Sequence, residues 1–193
     1  MITLLRSQNF IPKRKQTRMK LIVLACVVWA MHTSSQVTEY PTFRPVFQPS
    51  KEAFGIWAVI FATGLLHGVA APTGNVLYGL AFFLCGLWPS LYTAERYEAA
   101  SVVLGLAWAA SAVCNLLHPP SSTWRETLTQ EVGMGLLMGW LTLAFALSVV
   151  IATGPDSVLN TPWTFVAASV GLAAVARHKP WTLVPIAWAA LWI

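Results

Sequence analysis

Four histidines, three cysteines and ten tryptophans are the side chains of this 193-residue chain with chemistry to offer. His32, His67, His118 and His178 are too scattered to form a histidine box, and no HExxH, GxSxG or CxxC spacing occurs. Cys26, Cys85 and Cys114 are odd in number and dispersed through apolar segments, which gives no disulfide framework and no paired metal spacing. Small packing residues is the role that pattern supports. No Asp, Glu, Lys or Arg falls in the interior of an apolar span, so the buried ionisable relay of a proton-coupled or ion-coupled transporter is missing. Catalysis by side chains has little to work with, and no metal or cofactor is required by any motif. Indole remains. Large flat rings beside small residues can line a slot for a planar or rigid apolar ligand, by stacking and by burial of area.

Such rings need elements to hold them, and composition says which. The chain is 56% hydrophobic and 10% charged, against about 25% charged residues in ordinary soluble domains. An all-α integral membrane protein follows, a polytopic helical bundle with no room for a soluble catalytic module. Because about 20 helical residues cross the hydrocarbon layer, the apolar runs read as spans at 20–35, 52–70, 75–93, 99–117 and 131–152, then 162–176 and a shorter final segment at 181–193. Six to seven spans result. Residues 1–19 form a basic tail or targeting extension, 20–152 a five-helix core and 153–193 the additional C-terminal helices.

The net charge of +5 is concentrated at the start, where Arg6, Lys13, Arg14, Lys15, Arg18 and Lys20 supply six of the twelve basic residues. Beside an apolar span these are a topology signal and a contact for anionic lipid. Without a basic and aromatic groove they do not make a nucleic-acid site. Membrane lipid is therefore the expected partner and nucleic acid is not. Counting Lys and Arg in alternate loops favours an inside N-terminus; which membrane is not given by the sequence, an organellar or bacterial inner membrane fitting equally.

Several local features stand out. Pro41, Pro45 and Pro49 stiffen the approach to the second span, with Ser50 expected as its N-cap and Glu52 in its first turn. Phe54 and Trp57 share one face at i, i+3. Gly64/Gly68 and Gly135/Gly139 are GxxxG pairs, which let another helix approach closely and are candidate faces for a homodimer. Ser101, Gly105 and Ala109 read as a further small-residue seam. His67, inside the second span, is either a hydrogen-bonded packing residue or a functional ionisable group. Trp29, Trp124, Trp163, Trp181 and Trp192 suit interfacial belts, and Trp108 suits packing.

Phe47-x-Pro49-x4-Phe54-x-Ile56-Trp57-x-x-Ile60-Phe61 resembles the loop and second helix of the TspO/MBR family, the tryptophan-rich sensory proteins that include the translocator protein. It is closer still to the longer TspO-related branch with extra C-terminal helices. Phe54-Gly55-Ile56-Trp57 is one residue shorter than the family's F-G-P-x-W. Trp88 matches the tryptophan of an N-x-x-W-like motif, with Cys85 where asparagine is expected, and Gly139-Trp140-Leu141-Thr142-Leu143-Ala144 resembles part of the fifth helix. The resemblance implies a five-helix core around a cavity capped by a proline-rich loop, here 40–49. It also implies a tetrapyrrole or, in some members, a sterol as the hydrophobic small-molecule ligand. Trp57, Trp88 and Trp140 would wall that cavity, with Phe54 at its rim under the loop that ends at Pro49, and His67 is a further candidate ligand-binding residue. A carrier for lipid, sterol or pigment and an assembly subunit of a membrane complex are the competing readings.

Overall fold

Asn75 shows how local chemistry starts these helices. Its side-chain oxygen accepts from the backbone N–H of Leu77 at 3.0 Å and of Tyr78 at 3.4 Å, satisfying donors that a first helical turn otherwise leaves open. The computed structural model describes residues 13–35, 45, 51–71, 75–118, 121–161, 164, 166–168 and 180–191, and among them there is helix and no strand. Helix α1 is Lys13–Ser34, a 3-10 turn at Lys51–Gly55 leads into α2, Ile56–Ala70, and α3 is Val76–Thr93. Helix α4 is Tyr97–Leu117 and α5 is Trp124–Thr153. A 3-10 turn, Pro180–Thr182, precedes the short α6, Val184–Ala190. Four segments are long and apolar enough to cross a membrane: Glu52–Ala70, Val76–Thr93, Tyr97–Leu117 and Trp124–Thr153. The protein is a helical membrane protein.

Three expected boundaries move. Helix α1 begins at Lys13 rather than near residue 20, so Lys13, Arg14, Lys15, Arg18 and Lys20 wind into its first turns. The apolar part from Leu21 onward is shorter than the roughly 20 residues that a crossing takes. Helix α5 begins at Trp124 rather than near 131, because Thr123 caps it: its Oγ1 accepts from Glu126 N–H at 3.2 Å, while the Glu126 carboxylate reaches back to Ser122 N–H at 3.0 Å. Thr123-x-x-Glu126 has the sequence of a capping box, with the returning bond made to Ser122, one residue ahead of the cap. The last helix is only seven residues long. Pro89 is accommodated inside α3. Of the expected span at 162–176, the described residues Thr164, Val166, Ala167 and Ala168 are helical; Ser50 and the loop at 40–49, apart from a buried Pro45, lie outside the described residues.

The five long helices close into a ring in which α1 packs on α2 and α3, α3 on α4, α4 on α5, and α5 on α2. Neighbours in the ring tell their direction by their contacts. Gly68 faces Leu24 and Gly64 faces Val27, so α1 and α2 are antiparallel. Gly79 lies against Val23 and Gly86 against the Trp29 indole, so α1 and α3 are parallel. Ser101 meets Ser148 while Cys114 meets Met134, which makes α4 and α5 antiparallel.

Both glycine pairs are occupied from within the chain. A Cβ on Gly64 would come 2.8 Å from the Phe82 ring, and one on Gly68 2.6 Å from Leu24. Gly135 and Gly139 lie under Trp181 and Thr182, with the Thr182 carbonyl against Gly139. A second copy pairing through either face would have to displace α1 or the C-terminal segment. The α4 seam is narrower than the four-residue spacing suggests. Ser101 Oγ donates to the Ser148 carbonyl at 2.7 Å and Gly105 meets Phe145, but Ala109 is exposed. A helix turns every 3.6 residues, so a strict repeat of four drifts off the face within three positions.

Candidate functional site

Aromatic residues at i, i+4 stack along one helix face, and α2 and α3 both carry them. Trp57 and Phe61 stack with centroids 5.1 Å apart. Tyr78 and Phe82 meet edge to face at 5.0 Å. Helix packing joins the two pairs, because Phe61 lies 6.1 Å from Phe82. The series extends at both ends. On one side Trp140 of α5 meets Trp57 at 6.3 Å and Phe54 at 5.5 Å, both edge to face. On the other, Tyr78 lies 4.6 Å from the His67 imidazole. A continuous spine of rings thus runs through the ring of helices, from an indole pole at Phe54, Trp57 and Trp140 to a polar pole at Tyr78 and His67.

The poles differ in polarity. Trp140 is 2% exposed, and its indole Nε1 is buried with no hydrogen-bond partner. An indole N–H can only donate. A buried donor left unpaired costs about 1–3 kcal/mol, so this position asks for an acceptor. Two other indoles show the ordinary solution: Trp108 Nε1 donates to Thr142 Oγ1 at 3.0 Å, and Trp188 Nε1 to the Ala53 carbonyl at 2.8 Å. The second bond fastens α6 to the turn that carries Phe54, beside the indole pole.

At the polar pole His67 is 1% exposed and Tyr78 is fully buried. The first turns of α5, Thr127–Val132, are π-helical, a wider coil that inserts a residue and is frequent at functional sites. The Thr129 carbonyl in that coil accepts from His67 Nδ1 at 2.8 Å. With the proton held there, Nε2 is an acceptor. Neither Nε2 nor the Tyr78 hydroxyl has a partner. Gly133, where α5 returns to its ordinary pitch, makes the space: a Cβ on it would come 2.7 Å from the Tyr78 hydroxyl.

Of the residues singled out by sequence, Phe54, Trp57 and Trp140 come together. Trp88 does not join them in these ring contacts. It packs on Tyr92 at 4.8 Å, which meets Tyr97 at 5.5 Å, and its buried Nε1 is also unpaired. His67 lies at the opposite pole, and Pro49 lies outside the described residues. Trp124 is 75% exposed, and Trp29 is 41% exposed and lies against Gly86; Trp181 packs on the α5 glycines, and Trp163 and Trp192 lie outside the described residues. Sequence reasoning missed Tyr78, Phe82, Thr129, Gly133 and Trp188. The i, i+4 spacing of Tyr78 and Phe82 was a usable signal, whereas nothing local marks a carbonyl in a π-helical turn.

The three cysteines are thiols rather than disulfides, and among the described residues no group of three or more His, Cys, Asp or Glu could hold a metal ion. Comparison with family models, with curated proteins and with solved structures gives no match.

Proposed function

We propose that this protein is a multi-pass membrane protein of sensory or regulatory type. It binds a planar hydrophobic ligand, of tetrapyrrole or sterol-like class, inside the bundle at the indole pole. The observation that carries the reading is the buried, unpaired indole N–H of Trp140, held among Phe54 and Trp57. Rings set edge to face present faces and edges to a flat molecule, while the N–H selects one that brings an acceptor oxygen. A propionate or carbonyl of a tetrapyrrole meets that need. So does the oxygen of a sterol. The resemblance of the 47–61 stretch to the TspO/MBR family agrees with this ligand class and with a five-helix core followed by further C-terminal helices. Trp88, with its own unpaired N–H, would serve a separate edge of the bundle.

Titrating the detergent-purified protein with protoporphyrin IX while following tryptophan fluorescence tests the proposal. Saturable quenching at micromolar ligand, weakened in Trp57→Phe or Trp140→Phe with the helical circular dichroism unchanged, is the expected result. Linear quenching, identical in wild type and variants, would rule the site out and leave the carrier and assembly readings ahead.

A further inference from the structure

The polar pole is a second, independent place where something is missing. His67 Nε2 and the Tyr78 hydroxyl are each at least nine-tenths buried, their rings are in contact at 4.6 Å, and neither atom has a partner in the protein. The Thr129 carbonyl fixes the chemistry on offer. By taking the Nδ1 proton at 2.8 Å, it leaves Nε2 as a lone-pair acceptor on a neutral ring. The phenol can donate one hydrogen bond and accept another. The pair therefore presents one obligatory acceptor and one hydroxyl, without formal charge. A charged ligand group would enter low-dielectric surroundings with no opposite charge on either atom to receive it. A neutral hydroxyl, which can donate once and accept once, is the smallest group that meets both.

Local construction sets the phenol against the backbone of α5. Helix α5 enters through a π-helical coil at Thr127–Val132 and passes Tyr78 at Gly133. Any larger residue at 133 would put its Cβ against the Tyr78 hydroxyl, at 2.7 Å. The Thr63 hydroxyl donates to the Ile60 carbonyl at 2.9 Å or the Val59 carbonyl at 3.0 Å, and it makes no hydrogen bond with the Tyr78 phenol.

From this geometry we propose that His67 and Tyr78 form a binding site for a neutral hydroxyl group, which donates to His67 Nε2 and accepts from the Tyr78 phenol. The hydroxyl is carried by a bound water molecule or by a flat apolar alcohol that reaches the aromatic rings beside it. The site is separate from the indole pole and does not depend on a ligand there.

The test uses full-length protein in phosphatidylcholine nanodiscs, with histidine labelled with nitrogen-15. His32, His118 and His178 are replaced by Gln so that the only histidine signals come from His67. Spectra are taken without additive, with β-naphthol, and with its methyl ether, which lacks the hydroxyl. A hydrogen-bonded Nε2 signal without additive, lost in Tyr78→Phe, supports the site with water as the source. A hydrogen-bonded signal that appears with β-naphthol and not with the ether supports it with the alcohol as the source. In that case wild-type protein with all four histidines should bind β-naphthol about tenfold more tightly than Tyr78→Phe or Gly133→Ala, as expected for one hydrogen bond, with the ether binding alike to all three. An Nε2 signal without a hydrogen bond in all three samples would overturn the proposal. So would a direct scalar coupling between the Tyr78 phenol proton and His67 Nε2, which would mean that the pair satisfies itself.

Discussion

The indole pole and the polar pole stand at opposite ends of one spine of rings, and they leave different things undone. At the indole pole a donor has no acceptor, because Trp140 Nε1 is buried among carbon. At the polar pole an acceptor and a hydroxyl stand together without partners, because the one N–H of the neutral imidazole already donates from Nδ1 to the Thr129 carbonyl. A lone donor among flat rings suits a large ligand that brings one oxygen to the right spot. An acceptor beside a hydroxyl suits a small neutral group. The same packing logic, aromatic side chains spaced four apart on facing helices, thus ends in two poles with different unpaired groups.

The difference can be broken most forcefully at the indole pole. Trp140→Ala deletes the ring that joins α5 to Phe54 and Trp57, and large-to-small changes of this kind cost about 3–5 kcal/mol. We expect the largest drop in thermal unfolding temperature here, measured by circular dichroism in detergent, with the His67 nitrogen signals unchanged while the protein remains folded. Gly133→Ala acts at the other end. It crowds the Tyr78 hydroxyl and should cost about 1–3 kcal/mol as overpacking does, leaving porphyrin quenching at the indole pole as it was. Smaller again is Trp188→Phe, which removes the hydrogen bond to the Ala53 carbonyl that fastens α6 beside Phe54. A typical bond is worth about 0.5–1.5 kcal/mol, and limited proteolysis should cut the 180–190 segment faster in this variant than in wild type.

Much of the scaffold was legible because membrane helices announce themselves by length and apolarity. The segments at Glu52–Ala70, Val76–Thr93 and Tyr97–Leu117 fall within two residues of the expected spans. The early start of α5 was legible in principle, since Thr123-x-x-Glu126 is a capping signature, but the polar run around it reads as a loop or a short interfacial helix and not as part of the span. At the candidate site, the convergence of Phe54 and Trp57 followed from their i, i+3 spacing. Their meeting with Trp140 did not, because it depends on how α5 crosses α2, a tertiary fact. The family resemblance assigned Trp88 and Trp140 alike to a cavity wall, yet Trp88 meets Tyr92 whereas Trp140 meets Phe54 and Trp57. The polar pole was least legible. His67 was visible as an intramembrane histidine, but its role depends on a carbonyl in a π-helical turn and on an unpaired tyrosine from another helix.

The central claim is that the two poles bind separately, and one paired titration tests it most directly. Protoporphyrin IX affinity is measured side by side in wild type, Trp140→Phe and Tyr78→Phe, each of which keeps an aromatic ring and removes one hydrogen-bonding atom. The account predicts about tenfold weaker binding in Trp140→Phe, the loss of one hydrogen bond, and wild-type affinity in Tyr78→Phe. Equal weakening in both variants, or weakening in Tyr78→Phe alone, would contradict it.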